Sequence, residues 1–263
     1  MDLGLKNKVA LVAGASMGIG YGIAEALSAE GARVALCSRD EGRAREAARR
    51  IREKTGSPAL GLAIDVLDPD AGRRFVEEAR KEFGAPQILV TNAGGSPPGP
   101  GTEVEVEDIE AALQLNYLSA ARLTKAVLPD MRKARWGRIL HITSTTVFEP
   151  KVALFLSSAV RPALVGFAKA LALEVAGEGI TSNVLAPGLI DTERLSELIE
   201  YMAKEQGRSP EAQKQAMAAS VPAGRLADPL ELGRVAAFLC SEPAAYLTGV
   251  TLRVDGGRVA YLL

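Results

Sequence analysis

Ser157 and Arg161 stand four residues apart in "FLSSAVRPALVGFAKALALEV" (155–175), about one helical turn, so a hydroxyl and a guanidinium share a face. Either this is a reactive helix with two working groups, or Ser157 is a capping residue at the start of ordinary packing. Pro162 follows directly. It removes a backbone donor and disfavours the α conformation at Arg161, so the helix is expected to begin late, leaving Ser157 in a loop, or to kink there. Upstream, "GRILHITS" (137–144) ends an apolar run on Ser144, and "LQLNYLSA" (113–120) carries Asn116 in a helical pattern. A serine at a strand end also caps turns, and a helix asparagine also satisfies a backbone carbonyl.

A second chemical feature is "GASMGIG", with Gly14, Gly18 and Gly20 after the apolar run "VALVAG" (9–14). Glycines there let backbone approach a pyrophosphate at a helix N-terminus, where free N–H groups and the dipole favour negative charge. The spacing G-x-x-x-G-x-G differs from the commonest dinucleotide fingerprint, G-x-G-x-x-G.

The elements that must position these groups alternate along the chain. After "VALVAG" and the helix "GIAEALSAEG", the strands "RVALCS", "ALGLAIDV", "QILVTNAG", "GRILHITS", "ITSNVLAPG" and "VTLRVDGG" are separated by helices. The continuous apolar runs suit strands buried on both faces. Charged helices are expected over residues 41–54 and 70–83, and a long one over 106–132. Strands parted by helices imply right-handed crossovers and an α/β doubly wound parallel sheet of seven strands, one domain over residues 1–263. Residues 188–225 break the alternation and read as a helical lid.

Composition narrows the function. Lys and Arg total 31 against 32 Asp and Glu, interspersed, which suits neither a nucleic-acid nor a membrane partner. Cys37 and Cys240 lie in apolar stretches and read as buried thiols of a reducing compartment, so a cytoplasmic protein is expected. No metal site is assigned.

Taken in order, "GASMGIG", "TNAG" (91–94), Asn116, Ser144, "NVLAPG" with Thr192, and "YLTGVTLRVDGG" resemble the short-chain dehydrogenase/reductase family of ketoacyl-reductase type over essentially the whole chain. The resemblance implies a Rossmann fold binding NAD or NADP, Ser144 and Asn116 as catalytic positions, and a homotetramer. Its cofactor contacts fall on Gly14, Ser16, Met17, Gly18, Ile19, Gly20, Asp65, Val66, Asn92, Ala93, Gly94, Arg161, Pro187, Gly188, Ile190 and Thr192. The family's Tyr-x-x-x-Lys aligns with Ser157 and Arg161, and no tyrosine occurs between Tyr117 and Tyr201. The charge survives and the acid does not. Tyr117, His141, Ser158, Lys151 and Tyr201 are the other possible proton donors, with His141 expected on the sheet face away from Ser144.

Cofactor choice turns on "CSRD" (37–40). Ser38 stands where NAD-preferring proteins place an acid, and Arg39 suits a 2′-phosphate, so NADP is expected before NAD, with Asp40 as counter-evidence. The implied reaction moves hydride between NADP(H) and a small carbonyl or secondary alcohol. Two alternatives remain: a nucleotide-binding protein without efficient catalysis, and dehalogenase-like chemistry. By resemblance, the 106–132 helix, "FAKALALEV" and the tail "VAYLL" (259–263) form the subunit faces.

Overall fold

A computed structural model describes residues 1–261. Seven strands, β1 (Val9–Val12), β2 (Arg33–Ser38), β3 (Ala59–Ala63), β4 (Ile88–Thr91), β5 (Gly137–Ile142), β6 (Ile180–Pro187) and β7 (Thr251–Val254), form one sheet in the order β3-β2-β1-β4-β5-β6-β7. Every pairing is parallel. The order reverses direction between β1 and β4, the topological switch point where such sheets open a crevice at their carboxyl ends.

Strand alternation sends successive side chains to opposite layers. Ala10, Val12, Val34, Leu36, Val90 and Leu140 pack with α1 (Gly18–Ala29), α2 (Glu41–Thr55) and a late helix at Pro229–Leu239. Leu11, Ala35, Cys37, Leu89 and Ile139 pack on the other side with α3 (Ala71–Phe83) and the helices at Ser119–Ala134 and Phe155–Val175. Each fully buried Leu or Ile stabilises by about 1.5–3 kcal/mol, so two layers are needed to hide a sheet apolar on both faces.

The expected long helix is instead two, α4 (Val106–Leu113) and α5 (Ser119–Ala134), joined by a π-helical turn over Gln114–Leu118. That turn holds Asn116, and π-bulges interrupt helices at functional sites. The next helix, α6 (Phe155–Val175), runs unbroken through Pro162, so the late start expected from the proline is wrong. Proline's missing donor lies beyond the first turn, and burial of Leu156 and Val160 against α4, with Leu164 and Ala168 also buried, carries the helix through it.

The region read as a lid contains α7 (Glu193–Glu205) and α8 (Pro210–Ala219), followed by α9 (Pro229–Leu239). Leu189, Leu195, Ile199, Met217 and Val221 form a separate small core beneath α7 and α8. Among the described residues, no helix is long and apolar enough to cross a membrane. The tail "VAYLL" lies partly outside the described residues.

Candidate functional site

The β1–α1 turn is shaped by backbone. Gly14 and Gly18 both have φ +57°, left-handed conformations that side chains disfavour. A Cβ on Gly20 would come within 2.3 Å of the Gly14 carbonyl oxygen, and one on Gly14 within 2.7 Å of the Asn92 oxygen. Asn92 closes this fit from β4 by donating to the carbonyls of Gly14 (2.9 Å) and Ala13 (3.3 Å). At the start of α1, Met17 offers no side-chain cap and the first turn holds no acid. Its N–H groups are therefore left for an anion, and the cradle suits the pyrophosphate of a dinucleotide.

Along the neighbouring strand ends, Ser38 closes β2 and its hydroxyl accepts from the Asp40 N–H at 3.2 Å, while Arg39 is exposed. Asp40 caps α2 by accepting from the Arg43 N–H at 2.9 Å. Past β3, Asp65 accepts from the Leu67 N–H at 3.0 Å, with Val66 beside it. Ser16 belongs to the glycine turn, and Ala93 and Gly94 leave β4. Ile19, Pro187, Gly188, Ile190 and Thr192 line a cavity of about 540 Å³. Thr192 also caps α7, accepting from Leu195 at 3.2 Å.

Ser144, Ser157 and Arg161 line the same cavity. Ser144 heads a 3₁₀ turn and accepts from the Thr146 N–H at 3.2 Å. The Thr146 hydroxyl lies 3.0 Å from that of Ser157. Ser157 is not a helix cap: Leu154 holds the N-cap position, and Ser158 donates to the Leu154 carbonyl and accepts from the Lys151 N–H. Ser157 is thus left facing the cavity.

Arg161 is 9% exposed and donates through Nη1 to the carbonyls of Ile142 (3.3 Å) and Thr143 (3.2 Å). Burial, then the charge of Arg194, pull its proton affinity down to about 10. Across from it, Asn116 donates to Ala112 (3.1 Å) and Ser96 (3.2 Å), and its buried Oδ1 has no hydrogen-bond partner among the described residues. Asn116 and Arg161 border a second niche of about 10 Å³, the scale of one water molecule.

Most of the other possible proton donors lie elsewhere. His141 is fully buried behind β5, bonded to Thr91 at 2.8 Å, and burial alone drops its pKa to about 3. Tyr117 stacks edge-on to Phe167 with ring centres 6.0 Å apart, and Tyr201 on α7 is not in the cavity wall. Lys151 does line it, paired with Glu149 at 2.5 Å. Among the described residues, the cavity has no Tyr, His or Cys in its wall. Sequence reading missed Thr146, Arg194, Gln213 and Arg258, all cavity residues. They lie on a turn, two helices and a tail with no motif to mark them.

Comparisons agree with this geometry. The family profile described as enoyl-(acyl carrier protein) reductase matches residues 14–258. The chain is 38% identical to 3-oxoacyl-acyl-carrier-protein reductase FabG of Escherichia coli (strain K12), covering 97% of this chain and 98% of that protein. The FabG of Pseudomonas aeruginosa is 37% identical over the same shares of both chains. Among solved structures, L-sorbose reductase from Gluconobacter frateurii, complexed with NADPH and L-sorbose, superposes with a TM-score of 0.94 at 36% identity, covering 100% of both chains. A variant of actinorhodin polyketide ketoreductase with NADPH gives 0.92 at 35% identity, covering 97% of this chain and 98% of that one. With its glycine turn, switch-point crevice and serine-lined cavity in one parallel sheet, the chain belongs to the short-chain dehydrogenase/reductase family.

Proposed function

We propose that this protein is an NADP(H)-dependent oxidoreductase that interconverts a carbonyl compound and a secondary alcohol, with Ser157 and Arg161 in place of the usual Tyr and Lys. The carrying observation is the joining of an open anion cradle at α1 to a cavity walled by Ser144, Ser157 and Arg161. The bound neighbours named above, both with NADPH, support the choice of cofactor. The glycine turn holds the pyrophosphate, Ser38 and Arg39 face the adenosine ribose and its 2′-phosphate, Asp65 and Val66 flank the adenine, and Thr192 reaches the nicotinamide side. Arg161 donates to the nicotinamide ribose.

When bound, the dinucleotide supplies or takes the hydride at the carbon of the reacting C–O group. The chain's own residues manage the oxygen. Ser144 and Ser157 donate hydrogen bonds to it, and the buried Arg161 charge stabilises the negative charge that grows there as the C=O electron pair moves to oxygen. The proton that completes the alcohol comes from solvent across the Thr146–Ser157 hydroxyl pair. Without a tyrosine, the roughly 10²–10⁴-fold contribution of a positioned acid is missing, so turnover is slow. Helices α7 and α8 act as the lid of this single domain, and the exposed Leu173 of α6 belongs to a face between subunits of a homotetramer.

A second reading, cofactor binding without turnover, is favoured by the lack of Tyr, His and Cys in the described cavity wall. Fluorescence titration with NADPH and NADH, followed by a carbonyl-reduction screen, tests both. Tighter binding of NADPH with slow turnover is expected. Binding with no turnover on any carbonyl would leave the second reading, and no binding of either would overturn both.

A further inference from the structure

The cavity has a charge pattern that hydride transfer does not need. Its charged wall residues are Lys151, Arg161, Arg194 and Arg258, with no Asp or Glu among the described lining. Lys151 is matched by Glu149, and Arg194 by Glu197 at 2.6 Å, on a carboxylate 65% exposed and outside the cavity. Arg161 and Arg258 have no carboxylate partner among the described residues. Arg194 leans from α7 over the loop after β4, where its Nε would lie 2.6 Å from a Cβ on Gly95, and it donates to the Ser96 carbonyl. Arg194 and the buried Arg161 thus face one space with like charge. Like charge beside the buried Arg161 is unfavourable, and an anion entering the space relieves it.

An independent observation comes from Gln213 on α8. It is 3% exposed, its Oε1 has no partner, and its Nε2 reaches only the Met202 sulfur at 4.0 Å. Gln213 borders the cavity, and whichever way its amide is turned, one polar end is left without a partner. A buried amide without a partner is costly, and a polar ligand group that reaches it offsets that cost.

From these features we infer that the substrate is an anionic oxo compound, whose carboxylate or phosphate group is held by Arg194 and Arg258 with the Gln213 amide as a further donor. Apolar residues of the lid core (Leu195, Leu198, Met202, Met217) cover the rest of the molecule. The inference rests on reading the cavity as a carbonyl site, and it names the class of carbonyl. Guanidinium groups suit it because their planar fork pairs with two oxygens of one oxyanion.

The test uses matched pairs of probes, 4-oxopentanoate against its methyl ester and dihydroxyacetone phosphate against dihydroxyacetone. Each is titrated calorimetrically into the full-length protein with and without saturating NADPH. At least one anion is expected to bind about ten-fold tighter than its neutral partner, the scale of one charge-assisted contact. That preference falls as salt is raised. Whichever pair shows it identifies carboxylate or phosphate. In Arg194→Gln the preference should shrink to about three-fold or less with NADPH affinity within about two-fold of wild type, and Gln213→Leu should lower it by a smaller factor. Neutral probes binding as well as the anions, or no binding of either anion, would overturn the inference. So would an Arg194→Gln variant that loses NADPH as strongly as it loses the anion, because the cations would then serve the cofactor. If NADPH itself does not bind, the proposed function fails, while the anion preference of the unliganded protein still decides this inference.

Discussion

The two walls of the cleft are built from different materials. On the α1 side, recognition is backbone: positive φ at Gly14 and Gly18, a carbonyl 2.3 Å from where a Gly20 Cβ would sit, and free N–H groups behind Met17. On the α6 side it is side chain: Ser144, Ser157 and Arg161 project into the cavity from a 3₁₀ turn and from α6. A backbone site fails when one atom is added, whereas a side-chain site can change its chemistry and leave the helix in place. That difference explains how the cofactor half fits the family pattern while the reactive half departs from it.

The largest expected effect breaks the backbone half. Gly20→Ala puts a methyl group into the Gly14 carbonyl and the Ala15 Cα, neither of which can swing away as a side chain would. NADPH affinity should fall at least about 100-fold in a fluorescence titration, the turn being forced off the anion. A variant with near-normal affinity would show that the cradle is not the cofactor site. In the other direction, Ser157→Tyr combined with Arg161→Lys should raise carbonyl reduction by on the order of 10²-fold at unchanged NADPH affinity. Failure of the pair to raise turnover would mean that the cavity itself, and not only the acid, has diverged.

How much of this could be read from the sequence divides along the same line. Backbone requirements write themselves as glycines between an apolar run and a helix, so Gly14, Gly18 and Gly20 were legible, as was the parallel sheet from its uninterrupted strands. Ser144 and Arg161 were placed by register with the family. The continuity of α6 was not legible, because Pro162 states a local preference while burial of Leu156, Val160 and Leu164 decides the outcome. Nor was the π-helical turn at Asn116, since a one-residue change in hydrogen-bond spacing leaves the helical pattern intact. Arg194 and Gln213 enter the cavity only because α7 and α8 fold back over it, a tertiary fact with no local signature.

His141 sharpens the comparison from behind the sheet. Its pKa is pushed down to about 3 by burial, against an ordinary 6.5, so the folded protein holds it neutral. The stability that this represents is fully present above about pH 6.5 and is lost as pH falls from there toward 3, by about 1.4 kcal/mol per pH unit. Urea midpoints measured between pH 6.5 and 4.5 should fall more steeply for wild type than for His141→Gln. The pH profile of turnover in the Ser157→Tyr, Arg161→Lys protein should show no ionisation from this residue, which does not border the cavity. A turnover profile altered by His141→Gln would place it in the reaction after all.

The smallest effect belongs to the outer edge of the cofactor half, where side chains take over from backbone. Asp40 argues for NAD, but one of its carboxylate oxygens is engaged by the Arg43 N–H as the cap of α2. Arg39 beside it is exposed, with its charge open to solvent. A contact between such an arginine and a 2′-phosphate contributes only about 1–1.5 kcal/mol, because water and salt compete for both charges. Arg39→Gln should therefore weaken NADPH by about five- to ten-fold and leave NADH within about two-fold, with the gap closing as ionic strength rises. Equal losses for the two nucleotides would mean that Arg39 acts on something they share. NADP preference would then have to come from the hydroxyl of Ser38 and the room beside it, a shape effect that salt does not touch.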